Sequence, residues 1–379
     1  MPTASISRRS ALFSLAAAAS CGRRKATVYP GYALVAIADG NSVAVVELSR
    51  FRVRGHIALN GSPGHIVAHP ARPAAFVAIP LTGEVVEVEP GALRPVRGAR
   101  PGGVAVGMRL APGGRSLWVL YREPGSLVEL PLDTLRPAAR IRLPGTPVDF
   151  DFRSDGLAAV CFRGASGVAL ADPKSGSVTR TIPNAAPVSL VRFRSDGKHI
   201  LAAQGEARMI AILDVASGKT VVRLPLALVP RDFCFSPDGG QLFVAGEGAD
   251  AVAIVFPYAT EVAETILAGR APGGMATAPN LPYLFVANPA TGSITVFDIE
   301  TRKLVAVVDV GREPRSIVIT PDNQYALVLN QASGDVAVVR ISSFGARRAL
   351  TAPRPDPRRL FNLIPVGARP VGAVVVATA

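Results

Sequence analysis

The chain has 379 residues, 49% of them hydrophobic and 18% charged, a balance that excludes a disordered or low-complexity protein. With 36 Gly and 33 Pro, turns must be frequent, and no long amphipathic helical stretch stands out. The net charge is +13, which suits nucleic acid, anionic lipid or an acidic polymer, or simply an arginine-rich proteome. The basic residues are dispersed without a run of five. Together with the export signal read next, that dispersal argues against nucleic acid.

The N-terminal stretch reads as a targeting segment. Ser7-Arg8-Arg9-Ser10 precedes a short apolar run, Ala11 to Ala19, and then Cys21. The run is shorter than the about 20 apolar residues a membrane-spanning helix needs. Ser7-Arg8-Arg9-Ser10-Ala11-Leu12 resembles a twin-arginine export signal, with Ala11 where Phe is usual. Ala18-Ala19-Ser20-Cys21 resembles a lipoprotein box with Cys21 lipidated, though it lacks a large aliphatic residue three places before the Cys. The alternative is an ordinary secretory signal cut near Ser20. The expected organisation is an export signal over 1–21, a linker over 22–32 and one domain over 33–379, exported to the periplasm or cell envelope.

From residue 33 onward, apolar runs of four to six residues replace any helical pattern. One column of residues recurs as Leu34, Phe76, Trp118, Val160, Leu201, Phe243, Phe285 and Leu327, at intervals of 42 with a single 41. The next column is Val35, Val77, Val119, Cys161, Ala202, Val244, Val286 and Val328. Each unit holds four strand-like runs, A to D, as in Arg231 to Phe235, Gln241 to Ala245, Ala251 to Phe256 and Val262 to Ile266. A tight turn such as Ser236-Pro237-Asp238-Gly239 joins A to B. A proline precedes each A strand, often as G-x-x-P: Gly269 to Pro272, Gly311 to Pro314, Gly367 to Pro370.

Four antiparallel strands per unit of about 42 residues is the signature of a propeller blade. The expected fold is all-β, an eight-bladed β-propeller. Seven blades is the alternative if the weak unit around Val104 to Leu132 pairs irregularly. The first unit begins at its B strand, and an orphan A-like run, Val371 to Val376, ends the chain, so the two termini are expected to complete one blade and close the ring. The last unit carries an insertion around Ser342 to Arg359. Cys161 and Cys234 fall in strands two blades apart, which favours buried free thiols over a disulfide.

The motifs Tyr283-Leu284-Phe285-Val286-Ala287-Asn288, Gly292 to Asp298 and Val310 to Pro314 resemble the YVTN family of bacterial propellers, a broad group that includes surface-layer and YncE-like periplasmic proteins. The resemblance covers residues 33 to 379 and implies the fold. Relatives that it brings in include lactonase-like hydrolases and the haem domain of cytochrome-type nitrite reductases, so function stays open.

In such a ring the D–A and B–C loops share one face, where a rigid scaffold commonly presents function. Its D–A loops offer Arg100, Arg231, Arg270, Arg312, Arg315 and Arg369. Its B–C loops offer Asp39, Arg122, Glu123, Arg163, Glu247, Asn288 and Asn330. This suits an anionic ligand, or equally a solvated face whose arginines cap turns. Where A strands enter the central channel stand His65, Asp149, Asp232 and Ser316, with Arg109, Asp151 and Arg192 further along. These make a polar pocket or an internal network of ion pairs. His65 and His69 lie about 13 Å apart along one strand, too far for one metal. No C-x-x-C-H, G-x-S-x-G or Walker motif occurs.

The leading expectation is a noncatalytic binding or scaffold propeller, monomeric, without cofactor or metal, whose partner is a protein, a glycan or a small anion. It would touch a membrane only through a lipid on Cys21. The candidate binding residues are His65, Asp149, Asp232, Arg231, Arg315, Arg122, Arg163, Asn288 and Asn330. The alternatives are a lactonase-like hydrolase, which would need a convergent cluster of acids, amides or His at the channel mouth, and a haem-binding or other cofactor-binding propeller. Asp149 and Asp232 could act as an acid and base pair, though such pairs are more often structural.

Overall fold

The computed structural model describes residues 29–344 and 359–378. The export signal, Cys21 and most of the expected insertion lie outside these residues. The described chain forms eight four-stranded antiparallel sheets. The third unit, where irregular pairing would have left seven blades, is a regular blade with strands Ala105–Leu110, Ser116–Tyr121, Ser126–Pro131 and Ala139–Arg142. Among the described residues no helix is long and apolar enough to cross a membrane.

The two sequence columns explain how the blades hold together. Both run along B strands, where successive side chains point to opposite faces of the sheet. All sixteen residues are at most 2% exposed. In seven blades the first column faces the following blade and the second the preceding one, whereas in blade 4 Val160 faces back toward blade 3 and Cys161 forward toward blade 5. Thus Leu34 joins the apolar cluster between blades 1 and 2, while Val35 joins the one between blades 8 and 1. Among the described residues eight such clusters occur, one at each junction between neighbouring blades. A ring has as many junctions as blades, whereas an open stack would have one fewer.

Closure is made by the C-terminal strand Pro370–Ala377, which pairs antiparallel with Gly31–Ile37 and serves as the A strand of blade 1. Tyr32 lies opposite Val376 and Val35 opposite Ala373, and Val376 is buried.

Local chemistry shapes the turns as expected. At the A–B turn of blade 6, Gly239 has φ +72°, and in blade 8 Asn323 takes the same place at φ +56°. The Ser236 and Thr320 hydroxyls bridge these two turns to Asp238 and Asp322, each at 2.6 Å. Cys161 and Cys234 are free thiols, and burial raises the pKa of both, that of Cys234 to about 12. At so high a pKa neither is a thiolate at neutral pH.

Candidate functional site: the channel wall and the D–A/B–C face

The innermost strand of every blade has one edge without a strand partner, and that edge lines the channel. Its amide and carbonyl groups need partners. In several blades a side chain from the preceding blade supplies one. Arg109 Nε donates to the Phe150 carbonyl at 2.6 Å. Asp149 Oδ2 accepts the Val191 amide at 3.0 Å and Arg192 Nη1 at 2.6 Å. Asp151 Oδ2 accepts the Phe193 amide at 2.8 Å. Asp232 accepts its neighbour Phe233 and, across the junction, Met275 at 3.3 Å. Thr277 returns a bond to the Phe235 carbonyl at 3.0 Å. The donors and acceptors on each side are about one repeat apart in sequence, which is why polar residues recur in these strands.

His65, Asp149 and Asp232, expected at the channel, are on its wall. Arg109 lies between Asp149 at 3.5 Å and Asp151 at 3.9 Å. Desolvation at the channel lowers the pKa of His65, which favours the neutral imidazole, with the Val106 carbonyl as its partner and Arg109 and Asp149 nearby. Burial raises the pKa of Asp151 and Asp232, and in Asp232 the charge of Asp149 adds to it. The arrangement is a lacing of the ring that engages its acids.

A raised folded pKa has a defined consequence. The unfolded Asp232 loses its proton first as pH rises, so the protonated folded form is favoured at acid pH and that advantage fades as pH passes the folded pKa. In Asp232→Asn this dependence is absent. The gap in melting temperature, wild type minus variant, is therefore expected to be largest at acid pH and to shrink as pH rises above the ordinary aspartate range. Thermal melts of both proteins across that range check it, and a gap that widens with pH contradicts it.

On the D–A/B–C face many of the expected arginines are engaged. Arg100 Nε donates to the Thr82 carbonyl at 2.6 Å, and Arg312 donates to the Ala332 carbonyl at 3.2 Å. Arg369 pairs with Asp39 at 3.2 Å, and Arg231 with Glu247 at 3.0 Å. Asn288 and Asn330, expected among the exposed face residues, are instead fully buried. Asn288 accepts the Gly269 amide and donates to Thr295, while Asn330 donates to the Val310 carbonyl and to Asp335. They tie B–C hairpins to D–A loops. Arg122 is half-buried, with its Nε shut off from solvent and without an acceptor.

Two cavities on this face bring the remaining candidates together. One, of about 440 Å³, lies across blades 4 to 6 and is lined by Arg163, Glu206, Arg231 and Glu247 among others. The second, of about 620 Å³, lies across blades 6 to 8 and is lined by Arg231, Glu247, Asp250 and Arg315. The Arg231–Glu247 pair is thus a shared wall. Arg163, Arg315 and Glu206 are exposed, and among the described residues their side chains make no hydrogen bond or ion pair. Glu206 was not singled out from sequence, although it stands one repeat before Glu247. Also unforeseen are Ala271, Glu313 and Arg369, each just before a proline yet in the left-handed region at φ +55°, +52° and +56°. Among the described residues no three His, Cys, Asp or Glu side chains converge as a metal site would require.

Residues 257–347 match the family described as "Lactonase, 7-bladed beta-propeller". The described ring has one blade more than that description. No curated protein matches the chain. Among solved structures it is similar to dihydro-heme d1 dehydrogenase NirN in complex with DHE, at 15% identity and a TM-score of 0.74 over 90% of this chain and 74% of that one. It is also similar to hydrazine synthase of Kuenenia stuttgartiensis, at 21% identity and a TM-score of 0.60, over 73% of this chain and 95% of that one. A protein of unknown function from Desulfotomaculum acetoxidans DSM 771 aligns over 92% of this chain and 99% of its own, at 11% identity and a TM-score of 0.61. At identities this low, the structural likeness shows the fold alone.

Proposed function

We propose that this chain is an exported, monomeric, noncatalytic binding propeller that holds an anionic group of its partner on the D–A/B–C face between blades 4 and 8. The observation that carries the reading is the pair Arg163 and Arg315, exposed and unengaged at two cavities that share a wall. A guanidinium without an internal acceptor is free to take a carboxylate or phosphate in a bidentate manner. The Arg8-Arg9 motif, the short apolar run and the YVTN-like repeats support placement in the periplasm or cell envelope, with a lipid on Cys21 as the anchor.

The test is calorimetric titration with citrate, a small tricarboxylate, at low and at physiological salt. Wild-type protein is expected to bind, and less tightly as salt rises, because screening acts over about 8 Å at physiological ionic strength. Arg163→Ala and Arg315→Ala are each expected to weaken binding by about tenfold or more, the loss of one hydrogen bond to a charged group. Arg94→Ala and Arg136→Ala remove equal charge from exposed loops on the opposite face and are expected to leave affinity nearly unchanged. Equal losses from both pairs, or no binding at low salt, contradict the reading.

A tetrapyrrole-binding reading has one observation of its own, the neutral imidazole of His65 at the channel, which is the protonation state a metal ligand requires. The likeness in fold to NirN, described as a complex with DHE, supports it. An absorbance shift on adding haem to wild-type protein, absent in His65→Ala, would favour it over anion binding. Lactonase-like hydrolysis draws support from the match over 257–347, but Asp149, Asp151 and Asp232 already accept backbone amides where a base would be needed.

A further inference from the structure

Resting on the anion-binding reading, we infer that the two cavities on the D–A/B–C face form one trough for an extended peptide segment of a partner protein, with acidic residues of the peptide meeting Arg163 and Arg315. Four observations converge on this occupant.

The wall between the cavities is weak. Arg231 and Glu247 pair at 3.0 Å with side chains 54% and 68% exposed. A pair so open to water contributes at most about 1 kcal/mol, so it yields to a ligand that offers either partner a better contact. The cavities therefore function as one site in a row across blades 4 to 8.

Main chain is accessible along the trough. Gly164, Gly205, Gly248 and Gly273 line it. Gly164 has φ +68° and open space where a side chain would stand, and Gly248 has φ +89°. Glycine at such points lets another backbone come close, which suits the alternating donors and acceptors of an extended peptide.

The free charges are of both signs. Arg163 and Arg315 are unengaged, but so is the carboxylate of Glu206, while Asp250 accepts the Ala271 amide at 3.0 Å. A uniform polyanion would be repelled by Glu206. A peptide can offer it an amide or a basic side chain.

Among the described residues no aromatic side chain lines either cavity. Sugar rings and nucleobases favour flat aromatic surfaces to lie upon, and this trough has none.

The test uses the mature, full-length protein and synthetic peptides with two glutamates separated by Gly/Ser spacers of increasing length. Affinity is expected to pass through a maximum at one spacer length. There it should exceed that of a single-glutamate peptide by at least about tenfold, since the second contact becomes intramolecular. In Arg163→Ala and in Arg315→Ala the maximum should vanish, and both variants should bind the optimal peptide no better than the single-glutamate one. Affinity that does not vary with spacer overturns the trough. If citrate binding still depends on both arginines in that case, the anion-binding reading stands alone, and if it does not, both fall. Binding of an oligogalacturonate without binding of any of the peptides replaces the peptide with a glycan and overturns the inference.

Discussion

Truncation before Pro370 is expected to abolish cooperative folding of the ring, or to lower its stability by about 5 kcal/mol or more. The lost strand, Pro370–Ala377, pairs with Gly31–Ile37 over its whole length. Val374, Val375 and Val376 pack into the clusters on either side of blade 1. Fully burying one such side chain stabilises by about 1.5–3 kcal/mol; Val376 is buried and Val374 and Val375 half-buried, so they supply part of the expected figure and the lost strand pairing the rest. The truncation also leaves Gly31–Ile37 as an unpaired edge and removes the bond from the Thr378 amide to the Pro30 carbonyl at 3.1 Å. Chemical denaturation of the two proteins checks this. A truncated protein with the midpoint and slope of the full chain would show that the ring does not depend on its closing strand.

Glu87→Ala is expected to cost about 3 kcal/mol, the low end for removing one partner of a buried ion pair. Glu87 lies on strand Glu84–Val88 with its side chain 1% exposed. Arg72 and Arg97 each reach it at 2.5 Å from opposite sides. Arg97 also donates to the carbonyls of Leu132, at 2.5 Å, and of Asp133, so the group fastens blade 2 to blade 3. Without Glu87, Arg97 is left 28% exposed and close to a second cation. Arg72 is 44% exposed and can turn to water, which keeps the expected cost at the low end. Urea unfolding measures the loss. A change under about 0.5 kcal/mol, the range of an ordinary surface substitution, would show that the triad is not a fastening.

The sequence contained more of the fold than of the site, for a physical reason visible in particular residues. Burial is repeated. Leu34 and its seven counterparts are buried between blades in every unit, so a period of about 42 survives in the text of the chain and reveals blade count, strand order and closure together. The left-handed backbone at Ala271, Glu313 and Arg369 left no such trace, because none of these residues is glycine.

The site depends on what differs between blades, and there residue type alone misleads. Asn288 and Asn330 occupy B-strand ends where a polar residue reads as exposed. Each instead turns inward to satisfy a neighbouring loop. Arg231 and Arg315, expected in D–A loops, stand at the start of A strands, yet among the described residues only Arg231 has a carboxylate within reach, because Glu247 happens to end its B strand. Glu206 stands at the corresponding place in the preceding blade and remains unengaged.

What the sequence by itself determined is the repeat, the eight blades, the closing strand and the set of polar residues assigned to the channel and the face. Hydrophobic periodicity encodes these locally, within one unit at a time. Only the tertiary structure decided which charges are spent on the ring and which stay free. That outcome depends on contacts about one repeat apart in sequence and a few ångströms apart in space, as between Asp149 and Arg192 at 2.6 Å, and no local pattern records them.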